Sequence, residues 1–156
     1  IGEVTGKTRW AARLAADLQR RINRVRPRAR GIDLVLSRPR VLVIVGYHPL
    51  VAAGGGTLID DLVQKAGLEN VAGKSRSPYP QYSFEQLLKD DPEYIIIPSG
   101  VVPAAEIKQA SRWQGLAAVK QEKILIIDAD LISRPGPRIV DALEMIAKFI
   151  DEKEIQ

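Results

Sequence analysis

The sequence predicts an α/β fold in which a mainly parallel sheet lies between two layers of helices, and three observations predict it. First, three runs rich in Ile, Val and Leu, at residues 40–46, 94–98 and 123–128, do not alternate with polar residues, which is typical of strands covered on both faces. Second, segments with helical periodicity lie between these runs. Third, 156 residues with 46% hydrophobic side chains suit one domain with a buried core. We therefore expect a Rossmann-like three-layer lobe, preceded by a long helix.

The first predicted element is that long amphipathic helix. From residue 7 to residue 25 apolar side chains recur at three- and four-residue steps, with Thr5 as the expected N-cap and Pro27 as the stop. Residues 1–40 carry eleven basic and three acidic side chains, whereas the rest of the chain carries twelve and sixteen.

A nucleic-acid surface is one interpretation of this basic segment. Its arginines are not interleaved with aromatic residues, however, so we favour the solvated side of the helix and its exit loop, and we expect no nucleic-acid partner. The arginines concerned are Arg20, Arg21, Arg24, Arg26, Arg28, Arg30, Arg38 and Arg40.

Shorter elements follow the first buried strand. Thr57 is placed to cap a helix that Gly67 ends, and Ser83 with Gln86 forms a capping box for a helix that ends before Pro92. The predicted elements between the buried strands and after them are a helix over residues 57–66, a short strand over 69–72, a helix that begins at 83, a helix over 104–110 and a closing helix over 137–150.

Composition excludes several classes of site. The chain has no Cys, which excludes disulfides, thiolate zinc sites, iron–sulfur clusters and thiol nucleophiles. His48 is its one histidine, so any Ser–His–Asp relay must include that residue and His-pair metal motifs are excluded. No apolar run approaches the roughly 18–20 residues that a membrane span needs. The chain begins with Ile1 and has no signal-peptide pattern, so we expect a piece of a longer protein.

The candidate binding loops are those beyond the carboxyl ends of the strands, where ligands of such folds gather. They are residues 47–56, 99–103 and 128–136. Gly54–Gly56 in the first loop opens a helix, but neither GxGxxG nor a P-loop is present, so we interpret it as a turn with close backbone approach, with nucleotide binding as the alternative. His48 is interpreted as an ordinary polar contact, with a metal-ligand or general-base role as the alternative.

Two kinds of charged residue have ordinary structural interpretations. The carboxylate pairs Asp60-Asp61 and Asp90-Asp91 do not face each other on a helix, so we interpret both as solvated surface. Arg134 and Arg138 flank the start of the closing helix, where either an anionic ligand group or an ion pair to the core would satisfy them.

The segment from Tyr79 to Leu88 combines exposed aromatics with a helix start. Tyr79 and Tyr82 flank Pro80 in a polar loop, where their rings are suited to stacking on a flat ligand. Glu85 falls in the first helical turn, where a negative charge is favourable in itself.

Five segments in this order resemble the C-terminal lobe of helical-backbone substrate-binding proteins, which serve ATP-driven importers of cobalamin, ferric siderophores and haem. The resemblance covers most of residues 40–150. The segments are TLIDDL with AGLENV over residues 57–71, YPQYSFEQLL over 79–88, DPEYIII over 91–97, WQGLAAV over 113–119 and RPGPR over 134–138.

This resemblance implies a division of the chain and roles for named residues. Residues 1–30 would be the end of a first lobe with the helix that joins the lobes, and residues 31–156 would be the C-terminal lobe, with the N-terminal lobe absent. The implied ligand-binding residues are Tyr47, His48, Pro49, Tyr79 and Arg134.

Glu85 matches the acidic residue that docks onto an arginine pocket of the membrane permease. The implied location is periplasmic or extracytoplasmic, with lipid anchoring in the full-length protein. No cofactor and no resident metal are implied.

The favoured hypothesis is a receptor lobe, not an enzyme, whose partners are a metal-chelate ligand and the permease subunits of an ABC importer. Tyr79 stands where the cobalamin-type pattern has Trp, so cobalamin is only slightly ahead of a siderophore or haem. The alternative is a nucleotide- or NAD(P)-binding Rossmann-type enzyme that uses Gly54–Gly56 for phosphate and His48 as base. A further hypothesis is self-association of the isolated lobe.

Overall fold

The computed structural model describes residues 2–25 and 38–154, which form eight helices and five strands. In chain order these elements are α1 (Thr8–Arg24), β1 (Arg40–Tyr47), β2 (Leu50–Ala52), α2 (Leu58–Lys65), β3 (Glu69–Asn70), α3 (Phe84–Asp90), β4 (Tyr94–Pro98), α4 (Ala104–Gln109), α5 (Ser111–Gln114), α6 (Ala117–Lys120), β5 (Ile124–Ile127), α7 (Ala129–Ser133) and α8 (Ile139–Glu154). Among these described residues no helix is both long and apolar enough to cross a membrane.

The sheet is mainly parallel, as predicted. Its order is β2-β1-β4-β5, and β3 also pairs with β1. The pairs β1–β3, β1–β4 and β4–β5 are parallel, whereas β2 folds back on β1 as an antiparallel hairpin. Because β4 pairs with one side of β1, both β3, which pairs with Arg40 and Val41, and β2, which pairs with the last residues of β1, lie on its other side.

Alternate residues of β1 enter two separate cores, which confirms the three-layer prediction. Val41 and Val43 contact a core built with α2, α7 and α8. Leu42 and Ile44 contact a second core built with helices α3 to α6. A continuous apolar run is therefore required in β1, because both of its faces are covered.

The structure differs from the prediction at two strands. Residues 50–52 form β2 rather than a loop. The run at 123–128 was expected to be covered on both faces, but β5 has β4 as its described partner and Ile126 is 47% exposed. An edge strand and a central strand share the same apolar composition here, so composition alone did not separate them.

α1 is attached to the lobe through its last two turns. It has no fully buried residue, its N-cap is Lys7 without a side-chain hydrogen bond, and the predicted capping role of Thr5 is therefore wrong. Ile22 and Val25 pack against the first core. The division predicted at residue 30, the stop at Pro27 and the roles of Arg26, Arg28 and Arg30 lie outside the described residues.

Arg21 corrects the expectation that the basic residues of α1 are solvated. Its guanidinium donates to Glu144 at 2.9 and 2.7 Å and to Asp141 at 2.6 Å, so it joins α1 to α8. These carboxylates raise the pKa of Arg21, and the Arg21 hydrogen bond lowers the pKa of Glu144. Charge-assisted, bidentate contacts of this kind fix orientation as well as distance.

Both predicted N-caps of the shorter helices are confirmed. The hydroxyl of Thr57 accepts from the Asp60 amide at 3.1 Å, and that of Ser83 accepts from the Gln86 amide at 3.0 Å. Gly67 follows α2 with φ of +83°, a conformation that glycine adopts without strain.

The amino ends of β4 and β5 meet the last turn of α8 in a three-residue cluster, Tyr94, Lys123 and Glu154. The Tyr94 hydroxyl donates to Glu154 Oε1 at 2.5 Å, and Lys123 Nζ lies 5.0 Å from the Tyr94 ring centroid. The Tyr94 side chain is buried. The Glu154 side chain turns toward the protein, where the buried Tyr94 phenol supplies its hydrogen bond.

Candidate functional site

The candidate site lies at the carboxyl edge of the sheet. Strands β1, β4 and β5 run parallel and end at Tyr47, Pro98 and Ile127, so the loops that follow them leave from the same edge. This is the edge where the sequence predicted the binding loops.

A tight hairpin carries the first predicted ligand residues. Tyr47, the last residue of β1, pairs with Leu50 of β2, so His48 and Pro49 form the turn between them. The His48–Pro49 peptide bond is cis. His48 and Pro49 are exposed, Tyr47 is half-buried, and the His48 ring lies 4.1 Å from the Tyr47 ring. The hairpin therefore presents an imidazole and a pyrrolidine ring to solvent above an anchored phenol.

Tyr47 is anchored by a cluster that sequence reasoning missed. Its hydroxyl donates to Glu106 Oε1 of α4 at 2.6 Å. Arg112 Nη2 of α5 donates to that same Glu106 oxygen and to the Tyr47 hydroxyl. The Arg112 guanidinium also lies 5.4 Å from the Tyr47 ring centroid and 4.8 Å from that of Phe84, within the range of cation–π attraction.

These contacts set the charge states of the cluster. Burial raises the pKa of the Tyr47 hydroxyl, and the hydrogen bond to Glu106 raises it further. The Tyr47 hydroxyl and Arg112 lower the pKa of Glu106, and Glu106 raises the pKa of Arg112. At neutral pH the phenol is therefore protonated, while the carboxylate and the guanidinium are charged. Such a phenol holds position rather than acting as a nucleophile.

Tyr79 lies on an extended segment that adds to the sheet beside β2. The Pro78 and Pro80 carbonyls accept from the amides of Gly54 and Ala52, at 2.8 and 3.0 Å, and the Leu50 carbonyl accepts from the Tyr82 amide. This fixed backbone leaves the Tyr79 side chain 55% exposed. Its ring is thus presented from an ordered edge.

Arg134 follows α7, the helix that begins directly after β5. Its Nε is 3.1 Å from Asp130 Oδ1, and its side chain is 76% exposed. This surface pair leaves most of the guanidinium in contact with water and is not an ion pair to the core.

Glu85 is exposed in the first turn of α3, as predicted. The preceding residue, Phe84, packs edge-on against Trp113 at 5.2 Å between ring centroids. Because the chain reaches α3 directly after pairing beside β2, Glu85 lies at the same end of the lobe as the hairpin.

The glycine run does not have the geometry of a phosphate cradle. The Gly54 amide donates to Pro78, and the Gly56 amide donates to Asp60 Oδ2 at 3.2 Å. A Cβ on Gly54 would lie 2.6 Å from the Ser77 carbonyl oxygen, and one on Gly55 only 2.2 Å from that of Gly73. The predicted close backbone approach is confirmed. These amides already bond within the chain.

Asp60 corrects the expectation of a solvated carboxylate. It is buried, and its Oδ1 accepts from Asn70 Nδ2 at 2.9 Å while Oδ2 accepts from Gln64. Asn70 also donates to the Ala53 carbonyl. The network ties the glycine turn to β3. Asp61, by contrast, is exposed and pairs with a lysine one helical turn away, as predicted.

Metal-ligand clusters are the remaining kind of site. Within residues 2–25 and 38–154, no group of three or more His, Cys, Asp or Glu side chains is arranged to hold a metal ion.

Comparison with known proteins gives concordant results. The profile of the periplasmic binding protein family matches residues 1–131. A vitamin B12-binding protein of Pectobacterium carotovorum is 33% identical over 136 residues, which cover 87% of this chain and 47% of that protein. An uncharacterized ABC transporter substrate-binding lipoprotein of Bacillus subtilis is 23% identical over 150 residues, 96% of this chain and 47% of its own.

A solved structure agrees on the fold. The periplasmic heme-binding protein of Vibrio cholerae superposes with a TM-score of 0.81 at 18% identity, over 96% of this chain and 60% of that one. The chain spans about half the length of the curated relatives it matches.

Proposed function

Since this chain belongs to the periplasmic binding protein family, we propose that it is the C-terminal lobe of the substrate-binding component of an ABC importer. The component captures a metal-chelate ligand outside the cytoplasm and passes it to a permease, without covalent chemistry. Cobalamin is favoured over a ferric siderophore or haem. The observation that carries this choice is the 33% identity to a vitamin B12-binding protein across 87% of the chain.

The geometry of the carboxyl edge supports a bulky ligand. The segment that carries Tyr79 pairs with β2, the His48–Pro49 turn follows β1, and Arg134 follows the helix after β5; all four residues are exposed. A ligand that contacts residues on these three separate segments must be wide, as a macrocyclic chelate is. An exposed ring, an imidazole and a guanidinium provide stacking and polar contacts for its periphery.

A second lobe is part of this proposal. The matched relatives are about twice as long as this chain, so residues 1–30 would end a first lobe and α1 would join it to residues 31–156. The ligand would lie between the lobes, each supplying about half of the enclosing surface. We extend the proposal to lipid anchoring of the full-length protein, since one relative is described as a lipoprotein.

Glu85 is proposed as the docking carboxylate of this lobe. It is exposed and near the carboxyl edge, and a carboxylate there can receive charge-assisted hydrogen bonds from a basic pocket of the permease.

Ligand titration tests the proposal directly. Full-length protein is titrated with cyanocobalamin, haemin and ferrichrome while ligand absorbance is monitored. We expect saturable, one-to-one binding of one chelate, cyanocobalamin first. Failure of all three to bind would refute the proposal.

Glu85→Gln tests the docking role, with Glu152→Gln on exposed α8 surface as the matched control. We expect Glu85→Gln to reduce transport at least tenfold while chelate affinity and melting temperature stay unchanged. The control should transport normally. Loss of fold in Glu85→Gln would instead assign the carboxylate a structural role.

The nucleotide-binding enzyme is the alternative, and the occupied amides of Gly54 and Gly56 argue against it. It predicts that NAD(P) or ATP raises the melting temperature, because a ligand that binds only the folded state stabilises it. We expect no shift at saturating nucleotide.

A further inference from the structure

We propose that α5, through Arg112, couples permease docking at Glu85 to how tightly the Tyr47–Pro49 hairpin holds the ligand. This inference rests on the proposed function and adds a positioning residue to it. The observation behind it is that one guanidinium contacts both the helix that carries Glu85 and the hairpin.

On the docking side, Arg112 lies over the ring of Phe84, 4.8 Å from its centroid. Phe84 begins α3 and immediately precedes Glu85. The same Phe84 ring packs edge-on against Trp113, the next residue of α5, whose side chain is fully buried. A displacement of the first turn of α3 therefore acts on two adjacent residues of α5.

On the ligand side, Arg112 donates to the Tyr47 hydroxyl and lies 5.4 Å from the Tyr47 ring centroid. Trp113 lies 6.1 Å from that ring. The exposed His48 ring lies 4.1 Å from the Tyr47 ring. The orientation of the hairpin therefore depends on where α5 holds the phenol.

The side chains of Trp113 and Arg112, through which α5 makes these contacts, differ in how readily they can move. Trp113 is fixed in the second core, whereas the Arg112 side chain is 43% exposed and shares Glu106 with Tyr47. A permease cation that binds Glu85 draws the first turn of α3 outward, which moves the Phe84 ring from the guanidinium. Arg112 then relaxes its contact with Tyr47, and the hairpin loosens on the ligand.

The measured quantity is the ratio of ligand dissociation rates with and without the permease–ATPase complex in nanodiscs. The probe is whichever of cyanocobalamin, haemin and ferrichrome binds most tightly to the full-length protein. For the unmodified protein we expect docking to accelerate dissociation at least tenfold. To the extent that docking lowers the equilibrium affinity for the ligand, linkage requires the ligand to lower the docking affinity by the same factor.

Arg112→Met retains the aliphatic stem and removes the charge. We expect the Arg112→Met protein still to dock but its ratio of dissociation rates to lie within twofold of one. Arg112→Lys keeps the charge without the planar fork and should restore part of the ratio. Arg20→Met, at an exposed arginine of α1 paired with Asp17, is the matched control and should keep the full ratio. A merely structural role for Arg112 would lower the melting temperature without changing the ratio.

An unchanged ratio in Arg112→Met, or a ratio of one in the unmodified protein, would overturn the coupling and leave the proposed function intact. Binding of none of the three chelates would overturn both. If Arg112→Met fails to fold, Phe84→Leu removes the ring from the docking side, and the same loss of the ratio is expected.

Discussion

Two clusters at opposite ends of the sheet each combine a phenol, a carboxylate and a cation, which is a guanidinium in one and an ammonium in the other. At the carboxyl edge, Tyr47 donates to Glu106 at 2.6 Å and Arg112 lies 5.4 Å from its ring centroid. At the amino edge, Tyr94 donates to Glu154 at 2.5 Å, with a lysine cation 5.0 Å from the ring centroid.

The clusters differ in burial. Tyr94 is 1% exposed, and the side chains of Lys123 and Glu154 are 17% and 16% exposed. In the carboxyl-edge cluster, Arg112 and Glu106 are 43% and 30% exposed. A polar contact is costly to break where water cannot replace it and cheap to break where water can. Loss of the amino-edge cluster should therefore lower stability, whereas loss of the carboxyl-edge cluster should mainly change the position of the hairpin.

Tyr94→Phe should have the largest effect on stability. It leaves the Glu154 carboxylate without its phenol donor in a buried position, at a cost of about 1–3 kcal/mol in the free energy of unfolding. Urea denaturation measures this, with the exposed Tyr79→Phe as the matched control. Ligand affinity should not change, and a weakened affinity in Tyr94→Phe would contradict the separation of the two clusters.

Tyr47→Phe should have the converse effect. Water replaces the lost hydroxyl at the partly exposed Glu106, so the urea midpoint should shift less than half as much as in Tyr94→Phe. The hairpin loses its hydrogen-bonded anchor, so chelate affinity in the full-length protein should fall severalfold. An equal loss of stability in both variants would show that burial does not distinguish the clusters.

A third tyrosine, Tyr82, lies outside both clusters and allows a test by pH. Burial, with the nearby Asp90 carboxylate, raises the pKa of Tyr82 to about 12 from 10. Between these values the unfolded chain loses the proton while the folded chain keeps it, so stability present below pH 10 is lost as pH rises toward 12. Tyr82→Phe should flatten this decline, as followed by urea denaturation across that range. An equally steep decline in the variant would assign it to other groups.

The sequence predicted the elements whose cause is local. The apolar run of β1, the Thr57 and Ser83 caps and the glycine after α2 are each determined by neighbours within four residues, and each is confirmed. The hairpin β2 was missed because Pro49 resembles a loop residue, although the proline lies in the turn and leaves the pairing of Leu50 intact.

Local sequence patterns predicted only part of the candidate site. The edge of the sheet and the exposure of Tyr79 and Glu85 followed from local patterns. The anchor of Tyr47 did not, because Glu106 and Arg112 are 59 and 65 residues away along the chain. The burial of Asp60 was likewise hidden, since it depends on Asn70 arriving from another element.

The attachment of α1 has a mechanical consequence. Arg21 holds the helix near its last turn, and Thr8 is thirteen residues earlier, roughly 20 Å along a rigid rod. A ten-degree tilt about that pivot swings the far end by roughly 3 Å. The stiffness of this attachment, which consists of the Arg21 ion pairs and the packing of Ile22 and Val25 on the first core, therefore sets how far the front end of the helix can swing against the sheet.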